Sequence, residues 1–323
     1  MADDFTLDMK YVSIQEIGGT FPNLYNGRSN GIGQVDPGRG SRVHVFTQRG
    51  SFSYITGSHA LKVGFQGLYS PAKSAAQNPN MIGYGPIQYV YRLGQPFQLR
   101  QWRTPLDRRN RVYISGIFAQ DQWTLSRLTL NLGVRYDQLD GWVPPESVPA
   151  IPEFNLPSLS FDEVRGTPNW KTLLPRLGAA YDVFGNGRTA IKGTLGRYNE
   201  TESNGIAANN NPLNRIASQT LRAWTDTNGN RLPECDLKSS AANGECGAWL
   251  TPTFGTQVAA TTFDPDVLSG WYKRPYSWQG SLALQQELAN NVALTVGYFR
   301  TWFGQQRFTV NRAVATVGVD EYC

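Results

Sequence analysis

The sequence predicts an all-β chain: an antiparallel transmembrane β-barrel, closed and small or a piece of a larger one, with short turns on one side and long loops on the other. Three observations predict it. Apolar and polar residues alternate with period two over segments of about ten residues, the length a tilted strand needs to cross a bilayer. Short and long connections follow one another in strict alternation. Charge is also sparse: 17% of residues are charged and 40% hydrophobic, with 15 Tyr, 15 Phe and 9 Trp. Soluble domains carry about 25% charged residues, and no run here approaches the roughly 18 apolar residues of a membrane helix.

The elements follow in chain order. Strand 43–56 joins 59–69 through Gly57-Ser58, and Leu61, Val63, Phe65 and Tyr69 alternate with Lys62, Gly64 and Gln66. Stretch 111–125 is long enough but mixed, because Asp121 and Trp123 share a face. It turns around Ser126 into 127–137, where Leu128, Leu130, Leu132, Val134 and Tyr136 alternate without a break with polar residues and Gly133. Strand 173–184 joins 188–198 through Gly185-Asn186-Gly187, with Ile191 and Leu195 opposite Lys192 and Thr194. Strand 277–289 joins 292–303 through Asn290-Asn291; Trp278, Leu282, Leu284 and Leu288 form one apolar face, Val292, Leu294, Val296 and Tyr298 the next. Each joint has hairpin turn residues. Further strand candidates at 10–17, 86–93 and 306–314 bring the total to roughly ten to twelve, in a single barrel region spanning 1–323.

Between hairpins the links 70–110, 138–172 and 199–276 are long and read as structureless. Such links count against a compact soluble domain but fit the external side of a membrane barrel, with 199–276 the longest extracellular loop. Trp123, Tyr181 and Phe184 lie near the short turns; Tyr69, Tyr136, Tyr198, Trp278 and Tyr298 lie toward the long loops. Two aromatic girdles at the two interfaces are expected of such barrels. The loop tryptophans Trp102, Trp142, Trp170, Trp224, Trp249 and Trp271 serve either ligand capture or loop packing.

The net charge of +5 reads as a mildly basic surface. The basic cluster Arg100, Arg103, Arg108, Arg109 and Arg111 is expected in a loop, so no nucleic-acid partner is expected. Cys235 and Cys246 form a close pair in a polar stretch, which suits a disulfide in an oxidising compartment. A bridge over so short a loop is worth roughly 2–3 kcal/mol. Cys323 has no local partner. Met1-Ala2-Asp3-Asp4 is acidic and no apolar core follows, so it is not a secretory leader. Read as a whole gene product that predicts a cytoplasmic protein; a mature form or a piece of a longer chain is compatible with the outer membrane.

No catalytic residues are expected. G-x-S-x-G, P-loop, H-E-x-x-H and C-x-x-C motifs do not occur. Of the two histidines, His44 and His59, the second follows a tight turn and is expected to be a solvated rim residue. Asp226, Asn228 and Asn230 stand at alternate positions, as in oxygen-rich calcium loops, with Asp236 or Glu234 as further donors. Against an EF-hand, Leu237 holds the twelfth position and Arg231 the sixth. Two readings stand: a calcium loop on Asp226, Asn228, Asn230 and Asp236, or an Asx-rich turn clipped by Cys235–Cys246.

Several segments resemble the barrel of TonB-dependent receptors, in particular the Oar-like, carboxypeptidase-regulatory-like group. They are Gly57-Ser-His-Ala-Leu-Lys-Val-Gly-Phe65, Ile117-Phe-Ala-Gln-Asp-Gln-Trp-Thr-Leu125, Leu130-Asn-Leu-Gly-Val-Arg-Tyr-Asp137 and Leu174-Pro-Arg-Leu-Gly-Ala-Ala-Tyr-Asp182. The resemblance covers most of 43–303 and also takes in Asn228-Gly-Asn230 and Asn243-Gly-Glu-Cys246. It implies an outer-membrane location, lipid and the TonB complex as partners, and uptake of a scarce small ligand. Such receptors have about twenty-two strands and a plug; no plug and no TonB-binding motif are seen here, so the resemblance implies a barrel fragment. Two alternatives are a self-contained porin or adhesion barrel, in which first and last strands pair, and a soluble secreted all-β binding protein, whose apolar faces pack together.

Overall fold

The computed structural model describes residues 13–18, 24–26, 42–75, 86–104, 106–202 and 204–310. Its backbone is an antiparallel meander of eight long strands. These are β1 (Phe46–Thr56), β2 (His59–Ala75), β3 (Asp107–Leu125), β4 (Leu128–Trp142), β5 (Asn169–Asp182), β6 (Thr189–Asn199), β7 (Tyr276–Ala289) and β8 (Val292–Gly304). Each pairs with its sequence neighbour, and β1 and β8 are the two edges. Among the described residues these edges do not pair with each other, as a self-contained barrel would require. The sheet is open, a partial barrel.

The four short joints are where the turn residues place them. Gly57, Ser126 and Asn291 take the left-handed conformation (φ 55°, 50° and 66°) that closes a tight hairpin. In the longer β5–β6 joint, Asp182 accepts hydrogen bonds from the backbone amides of Gly185 and Gly187 at 3.0 and 2.8 Å.

The pairing register sorts side chains onto two faces. One hydrogen-bonded row runs Leu61, Asp121, Leu132, Leu177, Leu195. The next runs Lys62, Gln120, Gly133, Arg176, Gly196. On the first face Leu61, Val63, Phe65, Ile117, Leu132, Val134, Leu177, Leu195, Leu282 and Leu284 are each 41–62% exposed. A soluble sandwich would bury that stripe, since soluble monomers rarely leave extended contiguous apolar surface in water. Hydrocarbon is the solvent that accepts it. On β3, Trp123 and Tyr113 bracket the stripe, ten residues apart on the same face. At roughly 3.3 Å per residue and a tilt of about 40°, that separation spans about 25 Å of membrane.

The aromatic girdles form with two corrections. Trp123 and Tyr181 face outward near the short turns, Tyr69, Tyr136 and Trp278 toward the long loops, whereas Tyr298 faces outward at the middle of β8, opposite Leu282. Tyr198 instead belongs to the inner face, because its position on β6 has the parity of Gly196 and not of Leu195. Its ring lies over Gly196.

The long links are not structureless. Residues Ile87–Arg92 and Gln95–Trp102 make a hairpin, and Gln219–Ala223 pairs with its second strand. Residues Ser13–Ile17 add to its first strand in parallel. A core of Ile87, Leu99, Ile151, Phe154, Leu156, Trp224, Cys246 and Phe254 unites the three links. The arginine cluster is corrected accordingly. Arg100 lies in strand Gln95–Trp102, and Arg108, Arg109 and Arg111 lie in β3; only Arg103 is between strands, buried and donating to the Pro157 carbonyl at 2.5 Å. Their polarity hid strands that extend beyond the bilayer to carry the loops. Of the further strand candidates, 13–17 and 87–92 are strands, 305–310 are not, and Cys323 and 311–314 lie outside the described residues.

Candidate functional site

The inner face of the sheet carries the polar chemistry. Because every second residue points inward, β2 to β6 present Lys62, Gln120, Gln122, Asn131, Arg135, Arg176 and Thr194 to one open groove of about 620 Å³. Glycines form its floor: Gly133, Gly178 and Gly196 leave bare backbone between the polar side chains. Phe118 and Tyr198 flank it.

Glycine also sets the walls. A Cβ on Gly64 would stand 2.6 Å from the Phe118 ring, and one on Gly196 3.0 Å from the Tyr198 ring. At Gly116 the missing side chain makes room for Arg135 and Asp137, whose Nε and Oδ1 pair at 2.6 Å. Further along, Thr194 and Ser281 hydroxyls bond at 2.6 Å and Lys192 Nζ donates to Gln285 at 2.7 Å. The Arg176 guanidinium lies 4.8 Å from the Tyr198 ring centroid. Among the described residues no carboxylate pairs with Lys62 or Arg176, so the groove is net positive.

Toward the long loops the inner face turns apolar and is covered. Val112, Leu139 and Trp170 have inward parity and pack on Ile206 and Ala207 of the short helix Gly205–Asn209. Asparagines fasten that helix to the wall: Asn110 Nδ2 donates to the Asn204 carbonyl at 3.0 Å, Asn204 Nδ2 to Ser70 Oγ at 3.1 Å and Asn211 Nδ2 to the Arg109 carbonyl at 3.0 Å. The 199–276 link therefore folds into the mouth of the groove. The sequence gives no apolar-period signal for this, since a five-residue helix is too short to show one.

The loop tryptophans divide. Trp170 and Trp224 are 1% and 2% exposed and hold the loops together. Trp271 is 51% exposed on the outer face beside Tyr136.

Cys235 and Cys246 form a disulfide. The surrounding loop hangs on Arg222, a fully buried residue that sequence reasoning missed. Its guanidinium donates to the carbonyls of Gly247, Asp236, Ser239 and Ala241 at 2.8–3.4 Å. The candidate calcium oxygens serve the same backbone. Asp226 accepts from the amides of Gly229 and Arg231, Asn228 from Asn230, Asn230 from Leu232, and Asp236 from Lys238, all at 2.8–3.0 Å. That is an Asx-turn ladder.

His59 is not simply solvated. Its Nδ1 meets Asp121 Oδ2 at 2.7 Å and its ring stacks on Trp123 at 5.1 Å, all on the outer face at the foot of the apolar stripe. This pairing explains how Asp121 shares a face with Trp123.

Residues 4–310 match the family described as outer membrane beta barrel domain. No curated protein matches the chain. Among solved structures, the outer membrane transporter YddB from Escherichia coli is similar over 89% of this chain, with a TM-score of 0.48 and 15% identity. This chain spans 29% of the length of that one.

Proposed function

Since this chain belongs to the outer membrane beta barrel domain family, we propose that it forms part of the wall of a transport barrel that takes up a small ligand with energy delivered through TonB. The observation that carries this reading is the two-faced open sheet. An apolar stripe faces lipid, a polar net-positive groove faces inward, and two strand edges in hydrocarbon demand further strands. A wall of this kind binds and guides; it needs no catalytic step of its own. The folded link over the mouth gives the external side a rigid surface for ligand capture, and the resemblance in segments such as Leu130–Asp137 supports the TonB-dependent class.

The test uses the whole protein that contains this barrel, purified in detergent. It should be retained by an immobilised periplasmic domain of TonB, and vesicles containing it should resist swelling in an arabinose gradient. Absence of retention together with free arabinose entry would replace the energised receptor by an open porin.

A further inference from the structure

Two kinds of glycine line the inner groove. Gly64 and Gly196 make way for the rings of Phe118 and Tyr198, which crowd the place a Cβ would take. Gly133 and Gly178 make way for nothing. A Cβ on either would meet its nearest neighbour at 3.5 Å, an ordinary contact, and neither has a left-handed backbone. Glycine inside a strand costs stability. It marks a place where a ligand or another backbone comes close. Packing within the sheet does not call for these two glycines; close approach from the lumen does.

The register sets Gly133 between two cations. Lys62 on β2, Gln120 on β3, Gly133 on β4 and Arg176 on β5 form one row. Three strand spacings separate the cations, roughly 14 Å along the sheet. Gln122, Asn131 and Gly178 occupy the neighbouring inward row. The Arg176 guanidinium lies 4.8 Å from the ring centroid of Tyr198 on β6, the strand on the far side from Lys62. The two positive ends are thus held apart. The nearby carboxylates are taken: Asp137 pairs with Arg135, and Asp121, on the opposite face, with His59. Between the ends lie neutral amides and bare backbone.

We propose that Lys62 and Arg176 bind the two ends of an elongated dianionic solute, with an oxyanion group at each end and an uncharged polar middle lying against Gly133. Gln120, Gln122 and Asn131 supply amide hydrogen bonds to that middle. Arg176 offers its oxyanion a planar fork and Lys62 a point charge. Tyr198 is a positioning residue, its ring holding the guanidinium. The inference rests on the reading of the groove as the path of a solute, and names the class of that solute.

The experiment titrates the whole protein in detergent, by calorimetry, with three probes built on one tetraethylene glycol linker: a carboxylate at both ends, a carboxylate at one end, and an ammonium at both. Wild type should bind the diacid at least about tenfold more tightly than the monoacid, the worth of one more charge-assisted bond, and should not bind the diamine. K62Q and R176Q should each bring the diacid down to the affinity of the monoacid. G133Q keeps both cations but puts a side chain in the path between them, and should weaken the diacid by about tenfold as well. Equal affinity of wild type for diacid and monoacid would overturn the proposal, as would no diacid binding at all. So would an unchanged diacid affinity in folded K62Q or R176Q, or displacement of the diacid by equimolar inorganic phosphate, which would mark a site for a single anion. If the variants do not fold, the wild-type comparison of the three probes decides alone. None of these readings involves TonB. Diacid selectivity in a protein that TonB does not retain keeps the dianion site and sinks energised uptake; retention by TonB without diacid selectivity does the reverse.

Discussion

His59 Nδ1 and Asp121 Oδ2 lie 2.7 Å apart on a face dominated by leucine, valine and aromatic rings. Asp121 is the acid in the row that contains Leu61, Leu132, Leu177 and Leu195. It sits near the short turns, where the bilayer gives way to water, and the imidazole supplies its partner. Replacing His59 with Ala leaves that carboxylate unpartnered at the edge of hydrocarbon, at a cost of about 1–3 kcal/mol. The double variant H59A/D121A should recover most of the loss, read as the urea midpoint of unfolding in detergent. If H59A/D121A is as unstable as H59A, the pair is not what stabilises the foot of β2 and β3.

The two faces predict opposite responses to the same charge. Leu282→Arg on β7 places a cation on the lipid side near mid-stripe and should cost about 2–4 kcal/mol. Gln279→Arg, three residues away on the inner face, should change stability by less than about 0.5 kcal/mol. Folding yield into lipid vesicles measures both. Equal penalties would mean that both faces are packed, as in a soluble sandwich.

The external loops should come loose from a single residue on the wall. Trp170 is 1% exposed, packs against Ile206 and Ala207, and donates from Nε1 to the Val267 carbonyl at 2.7 Å. Trp170→Ala removes the ring and the bond, for about 3–5 kcal/mol. Because β5 continues through the membrane below it, the barrel should persist while segment 199–276 becomes protease-sensitive. Cleavage there without loss of strand signal in circular dichroism is the expected result. An uncleaved loop would show that the asparagine contacts suffice.

The strands were legible in the sequence and the loops were not, for one physical reason. Lipid on one side and water on the other write a strict period of two, as in Leu128, Leu130, Leu132, Val134 and Tyr136. Tight turns such as Gly57-Ser58 and Asn290-Asn291 then bound each strand within a few residues. Above the membrane the inward positions become apolar too, at Val112, Leu139 and Trp170, and the alternation fades. Loop order there rests on long-range partners that no local pattern announces: Arg222 gathering four carbonyls, Asn204 reaching Ser70. Tyr198 shows the limit at finer scale. Being aromatic and near the loops placed it in the girdle, whereas strand parity turned it inward to the groove.

The disulfide loop should respond to acid through one carboxylate. Glu245 accepts from the Thr227 hydroxyl and amide, both at 2.6 Å, and from the Glu234 amide at 3.2 Å. These bonds favour its charged form and hold its carboxyl below the usual range, the Thr227 hydroxyl contributing most. A lowered folded value means that the charged carboxylate stabilises the loop above the unfolded pKa of about 4.3. That contribution is lost as pH falls through the lower folded value. Protection factors for amide exchange across 226–246 should therefore fall on acidification below the usual carboxylate range, and Glu245→Gln should flatten the dependence while leaving Cys235–Cys246 intact. The same measurement distinguishes the two readings of the Asp226 ladder. If Asp226 and Asp236 hold calcium, millimolar calcium slows exchange at pH 7 and a chelator reverses it. If the carboxylates serve only the amides of Gly229, Arg231 and Lys238, exchange is indifferent to calcium and rises when Asp226 is replaced by Ala.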